Sequence, residues 1–105
     1  MNDRELLEMA AKAAGCDGLG EWDEKWGCIT NYEGWTFDPL TDDGDAMRLA
    51  VTLKLQIRPN DYDVMVVAQL PAHITAAEVC DYKDPYAATR RAIVRAAAEI
   101  GRGMK

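Results

Sequence analysis

The sequence has few of the residues that enzymes use most often, with no serine, one histidine and three cysteines. The absence of serine excludes a serine nucleophile. A cysteine–histidine pair would have to come from Cys80 and His73, and no neighbouring residue activates either side chain. We therefore predict a protein that is not an enzyme and that has no catalytic residues.

Motifs for metals and cofactors are absent as well. The cysteines are Cys16, Cys28 and Cys80. Zinc would need all three to converge with His73, whereas separated thiols in an odd number are typical of reduced, buried side chains. The acidic run at 42–45 does not fit a calcium loop, because Pro39 would take the first ligand position. Residues 15–20 contain three glycines but follow no strand, so they are not a phosphate loop. We predict no metal and no cofactor.

Long hydrophobic runs are missing too. No apolar segment approaches the ~18–20 residues of a membrane-spanning helix, and the first five residues are too polar for a signal peptide. The 105 residues, 49% hydrophobic and 29% charged, suffice for one hydrophobic core but not for two. We expect a single domain over residues 1–105 that is cytoplasmic and makes no membrane contact.

Basic residues are scarce before the C-terminal region. Residues 1–84 contain 17 acidic and 7 basic side chains, whereas residues 85–105 contain one acidic and five basic ones. One interpretation is that the basic segment lies beside acidic surface of the same molecule. The other is that the acidic body binds a basic partner and repels nucleic acid. Arg90, Arg91 and Arg95 are the candidate basic face for nucleic acid, which the acidic body disfavours.

Two helix signals come first in the chain. Asn2 or Asp3 caps a helix that ends at Gly15. A proline turn then leads to Thr41, which we predict as the N-cap of a central helix because carboxylates fill the turn that follows. The apolar stripe of this helix consists of Ala46, Leu49, Ala50, Leu53 and Ile57. We expect the rest of the chain to be organised around residues 35–53.

The last helix has the clearest start, an N-cap and a first-turn proline at Asp84 and Pro85. Its predicted apolar stripe consists of Tyr86, Ile93, Val94, Ala97, Ile100 and Met104. Gly101 and Gly103 indicate fraying at its end.

Strand signals lie between the helices. The predicted strands are residues 27–31, 35–37, 63–70 and 73–80. Turns are expected at 32–34 and 58–61. The resulting order, α-β-β-α-β-β-α, predicts an α+β fold in which an antiparallel sheet has helices packed on both faces, an α/β/α sandwich.

The tryptophans are clustered, since all three lie with the only phenylalanine between residues 22 and 37. They either form the core of a small sheet, or Trp22 and Trp26 are exposed and mark a surface for a partner protein. The negative charges in the first turn of the central helix complement the positive end of its dipole. The carboxylates concerned, Asp42, Asp43 and Asp45, complete the candidate partner surface.

Three runs resemble a known family. They are MNDRELLEMAAKAAG at 1–15, DPLTDDGDAMRLAV at 38–51 and DPYAATRRAIVRAAAEIG at 84–101. These runs are similar to the phage ABA-sandwich domain family of small phage and prophage proteins. The resemblance implies helix–sheet–helix layers and a bacteriophage or prophage origin, and hence the cytoplasm of a bacterial host. It implies no activity and no functional residues.

The leading hypothesis is a non-enzymatic phage accessory protein that binds a host or phage protein. One alternative is an acidic inhibitor of a host defence system that mimics nucleic acid. High salt would weaken the complex between such an inhibitor and its basic target. Another is nucleic-acid binding through the C-terminal basic helix. Assembly into a homo-oligomer is left open.

Overall fold

A computed structural model describes residues 2–14, 21–23, 28–30, 36–59, 63–68, 74–79 and 84–103. These residues form three helices and two three-stranded antiparallel sheets. The elements are α1 (Asp3–Ala13), β1 (Glu21–Asp23), β2 (Cys28–Thr30), β3 (Thr36–Phe37), α2 (Asp43–Thr52), β4 (Gln56–Pro59), β5 (Asp63–Ala68), β6 (Ile74–Val79) and α3 (Pro85–Arg102).

The larger sheet has the order β4-β5-β6, so the valine-rich strand β5 lies at its centre. Val66 pairs with Ile57 on one side and with Ala76 on the other. Directly paired residues share a face of the sheet, and Val64 and Val66 on this face are fully buried. Helix α3 packs against β5 and β6 and covers this apolar face.

Helix α3 is the central element of the fold. Its buried residues are Ala92, Ile93, Val94, Ala96, Ala97, Ala98, Ile100 and Gly101. Such burial around most of the circumference requires neighbours on several sides, and α1, α2 and the larger sheet all contact α3. The expectation that residues 35–53 organise the chain is therefore wrong. Small alanine side chains allow three elements to approach one helix closely.

The predicted caps are confirmed at two helices and shifted by one residue at the third. The side chain of Asn2 accepts a hydrogen bond from the backbone N–H of Glu5 at 2.8 Å, and Asp84 caps α3 in the same way. At α2 the N-cap is Asp42, not Thr41. The Thr41 hydroxyl donates to the carboxylate of Asp38 instead. Gly15, the predicted end of the first helix, lies outside the described residues.

The central helix is shorter than its apolar pattern predicts. α2 ends at Thr52, and Lys54 adopts a left-handed conformation with a φ of 55°. The backbone N–H of Leu55 donates to the carbonyl of Ala50 at 2.9 Å, which closes a Schellman motif. Ile57 therefore belongs to β4, and the predicted turn at 58–61 is wrong at its first two residues.

Two features of the last helix differ from the sequence prediction. Tyr86, placed in the apolar stripe, is a largely exposed side chain. Gly101 does not mark fraying, because it is buried against the backbone of Met9 in α1. Met104 lies outside the described residues.

The α+β class is confirmed, with antiparallel sheet packed against helices. β2, β3, β5 and β6 lie within the four predicted strands, whereas β1 and β4 were not predicted. Helix α3 packs on the face of the larger sheet that holds Val64 and Val66. The opposite face carries the exposed side chains of Gln56, Arg58 and Thr75 together with the buried side chain of Val67.

Candidate functional site

The predicted tryptophan surface falls largely outside the described residues. Trp22 lies in β1, where its backbone pairs with Ile29 of β2, but its side chain is not described. Trp26 lies in an undescribed segment. Their role in partner binding stays a prediction.

The acidic part of the predicted surface lies in the first turn of α2, and each carboxylate has a different partner. Asp42 accepts from the N–H of Asp45 at 2.8 Å as the N-cap. Asp45 turns toward the preceding loop, where it accepts from the N–H of Asp38 at 2.9 Å. Asp43 accepts from Arg90 of α3 at 2.6 Å. The exposed carboxylates are therefore those of Asp42 and Asp43, whereas Asp45 is mostly buried.

Arg48 completes the ionic contacts of this turn. Its guanidinium donates to Asp45 at 2.8 Å and lies 3.8 Å from Asp42. The hydrogen bond to Asp45 is the main cause that raises the pKa of Arg48 above its usual value. Arg48 therefore offsets part of the negative charge at the start of α2 throughout the physiological pH range.

Next to these carboxylates, the outer face of α2 exposes two large apolar side chains. Met47 is 55% exposed and Val51 is 68% exposed. They follow Asp43 at intervals of four residues, which places all three in one row along the helix. We refer to Asp42, Asp43, Met47 and Val51 as the α2 surface. Sequence reasoning did not include Met47 and Val51 in the site, although both fall outside the buried stripe.

The predicted basic face is divided between two places. Arg90 is only 16% exposed, and it donates to the carbonyl of Leu40 at 2.9 Å as well as to Asp43. Arg90 therefore ties α3 to the loop before α2. Arg91 and Arg95 point elsewhere, toward Glu78 of β6.

Arg91 and Arg95 join three elements of the fold. Arg95 donates to Glu78 at 2.6 Å, and Arg91 donates to Asp3 of α1 at 3.1 Å. Each arginine of the predicted basic face thus contacts a carboxylate of the same molecule. This agrees with the interpretation that the basic segment lies beside acidic surface.

A cleft of about 350 Å³ opens beside this network, between α1, β6 and α3. Its charged lining consists of Arg91, Arg95, Arg102, Glu78 and Glu99. Arg102 was not part of the predicted basic face. Its spacing from Arg91 and Arg95, eleven and seven residues, placed it on the same side of a helix.

Among the described side chains, no group of three or more His, Cys, Asp or Glu residues is arranged to hold a metal ion. The residues weighed for zinc or for a cysteine–histidine pair lie outside the described part of the chain, except Cys28, whose backbone alone is described. None of the described helices combines the length and apolar character needed to cross a bilayer.

The fold and these surfaces define an α+β protein whose described charged residues are largely paired with one another. No protein-family model matches the chain, and neither a curated protein nor a solved structure was found to be similar to it. The resemblance to the phage ABA-sandwich domain family therefore stays a prediction.

Proposed function

We propose that the protein is a non-enzymatic accessory protein of a bacteriophage or prophage, and that it acts in the bacterial cytoplasm by binding another protein through the α2 surface. The observation that carries this proposal is the exposure of Met47 and Val51 beside the carboxylates of Asp42 and Asp43. Large apolar side chains one turn apart on a helix are typical anchors for a partner groove.

The chemistry of the α2 surface indicates the kind of partner. Burial of a methionine or valine side chain contributes about 1.5–3 kcal/mol, which makes Met47 and Val51 the main source of affinity. Asp42 and Asp43 would contact basic side chains around the partner's apolar groove, and such charges mainly set specificity and association rate. The partner is therefore a protein with a basic rim around an apolar groove.

The alternatives receive less support. A mimic of nucleic acid needs free carboxylates spaced like phosphates, whereas Asp3, Asp43, Asp45 and Glu78 all contact arginines. Nucleic-acid binding needs a continuous basic track, whereas Arg90 is directed to Leu40 and Asp43, away from Arg91 and Arg95. A protein partner contacts the exposed parts of Asp42 and Asp43 and leaves their ion pairs intact.

An affinity pull-down from lysate of the bacterial host tests the proposal, with wild type compared to the double variant Met47→Gln/Val51→Gln. We expect a recurrent protein with wild type and little or none of it with the double variant, because two anchors of about 1.5–3 kcal/mol each correspond to more than about a hundredfold in affinity. Thr52→Gln is the matched control, since Thr52 is exposed on the same helix and polar.

Asp43→Asn and Asp42→Asn separate the role of charge. Asparagine is also a good N-cap, so Asp42→Asn removes charge while keeping the helix start. We expect both variants to weaken recovery at low salt and to match wild type at high salt. Equal recovery of the same protein by wild type and the Met47/Val51 variant, or recovery of nucleic acid alone, would contradict the proposal.

A further inference from the structure

We propose that the cleft between α1, β6 and α3 is a binding site for a small organic anion, with a carboxylate or phosphate group held by Arg102 together with Arg91 and Arg95. These arginines project from successive parts of one side of α3 into a cleft of about 350 Å³. A volume of this size falls in the range of small-molecule sites, about 300–1,000 Å³.

The cleft gathers more positive charge than the rest of the molecule. The chain has a net charge of −6, whereas the cleft lining contains three arginines and two glutamates, with the carboxylate of Asp3 paired to Arg91 beside it. An anion is therefore repelled less at the cleft than by the acidic remainder of the surface. Guanidinium groups bind carboxylate and phosphate oxygens through paired hydrogen bonds, which makes oxyanions the preferred ligands.

Two of the arginines are held in position before a ligand arrives. Glu78 accepts from Arg95 at 2.6 Å and lies 3.8 Å from Arg91, whose guanidinium also donates to Asp3. These contacts restrict both side chains, so little conformational entropy is lost when a ligand binds. Glu78 is a positioning residue in this site.

Arg102 is the arginine most available to a ligand. It is 67% exposed, and its only ion pair or hydrogen bond within the described part of the chain is the ion pair with Glu99 at 3.6 Å. An exposed pair of this kind contributes little stability and is easily exchanged for a ligand oxygen. Arg91 and Arg95 already donate hydrogen bonds to carboxylates of the protein. Arg102 therefore donates most of the hydrogen bonds to the ligand.

The same cleft contains apolar surface. Leu6 of α1 and Ala76 of β6 belong to its lining and to the buried core. A ligand with a short carbon skeleton can lie against these side chains while its oxyanion meets the arginines. A nucleic-acid backbone would need a longer basic track, and the acidic remainder of the molecule opposes one.

Titration followed by ¹⁵N–¹H NMR tests the site, with citrate and inorganic phosphate as probes and sodium chloride at matched ionic strength as the reference. We expect citrate, phosphate or both to shift the Nε–Hε signals of Arg91, Arg95 and Arg102 saturably. Citrate alone would identify a carboxylate ligand, and phosphate alone a phosphate ligand.

Arg102→Gln should weaken this binding about tenfold, because one charge-assisted pair of hydrogen bonds is lost. Arg58→Gln is the matched control and should bind as wild type does, since Arg58 is exposed on the opposite face of the larger sheet. Both positions are exposed, so the fold of either variant is expected to be unchanged.

The proposal fails if neither anion shifts the three signals more than sodium chloride does. It fails equally if Arg102→Gln and Arg58→Gln weaken binding by the same factor, which would indicate general charge attraction. Binding of a short DNA duplex without binding of citrate or phosphate would also overturn it, in favour of a nucleic-acid surface.

Discussion

Gly101 of α3 lies directly against the backbone of Met9 in α1. A Cβ atom built on Gly101 would be 1.9 Å from the carbonyl oxygen of Met9 and 3.3 Å from the backbone nitrogen of Ala13. Only a residue without a side chain allows the two helices to approach so closely. This contact explains why a glycine occurs inside the last turns of the most buried helix.

Gly101→Ala is expected to destabilise the protein by about 3 kcal/mol, because a backbone carbonyl cannot move aside as a flexible side chain can. Gly103→Ala is the matched control. Its Cβ would be 3.6 Å from the nearest atom, the carbonyl oxygen of Ile100, which is an ordinary contact. Urea denaturation of both variants measures the free energies of unfolding, and equal values would contradict the close contact between α1 and α3.

Lys54→Gly is expected to stabilise the protein by about 0.5–1 kcal/mol. Lys54 has a φ of 55° at the end of α2, where glycine avoids the steric cost that a lysine Cβ incurs. Thr52→Gly, two residues earlier within the helix, should lower stability by about 0.5 kcal/mol instead, the difference in helix propensity between threonine and glycine. Thermal denaturation distinguishes the two. A loss of stability in Lys54→Gly would argue against the Schellman motif.

Asp42→Ala is expected to lower the free energy of unfolding by about 1 kcal/mol, because it removes the N-cap of α2. Thr41→Ala should have a smaller effect, since the Thr41 side chain bonds only to the exposed part of the preceding turn. Asp84→Ala, at the N-cap of α3, provides a reference for the loss of one cap. Chemical denaturation ranks the free energies of unfolding of the three variants. A larger loss of stability for Thr41→Ala than for Asp42→Ala would favour Thr41 as the N-cap, as the sequence predicted.

Arg90→Met is expected to destabilise the protein by about 2 kcal/mol, because it leaves the carbonyl of Leu40 and the carboxylate of Asp43 without their donor. Arg48→Met is the control. Its ion pairs are exposed, so the loss should stay below about 1 kcal/mol. Arg90→Lys should not restore stability, because one ammonium group cannot reproduce the two contacts of a guanidinium. Full rescue by lysine in a urea titration would contradict this assignment.

Local signals in the sequence determined much of the secondary structure. Asn2, Asp84 and Pro85 mark helix starts because their preferences act over three or four residues of chain. The valine-rich run of β5 likewise predicted a strand from its own composition. The α+β class followed from the order of these segments.

Other features depend on residues far apart in the chain. The apolar spacing up to Ile57 favours a longer helix, but α2 ends at Thr52 without a glycine. Leu55 and Ile57 pack against the core from outside the helix, and this packing decides where the helix ends. Gly101 resembles a helix terminator in sequence, and only its contact with Met9 shows that it is a packing residue.

The candidate sites were predictable only in part. The acidic start of α2 was evident from Asp42, Asp43 and Asp45, but the sequence could not show which of these carboxylates faces solvent. Helical spacing already turns Arg90 about 100° away from Arg91, but the sequence could not show which carboxylate each arginine contacts, because tertiary packing decides that. Helix propensity and charge follow from the local sequence, whereas the exposure of a side chain and its ion pairs are decided only when α1, α2 and β6 pack around α3.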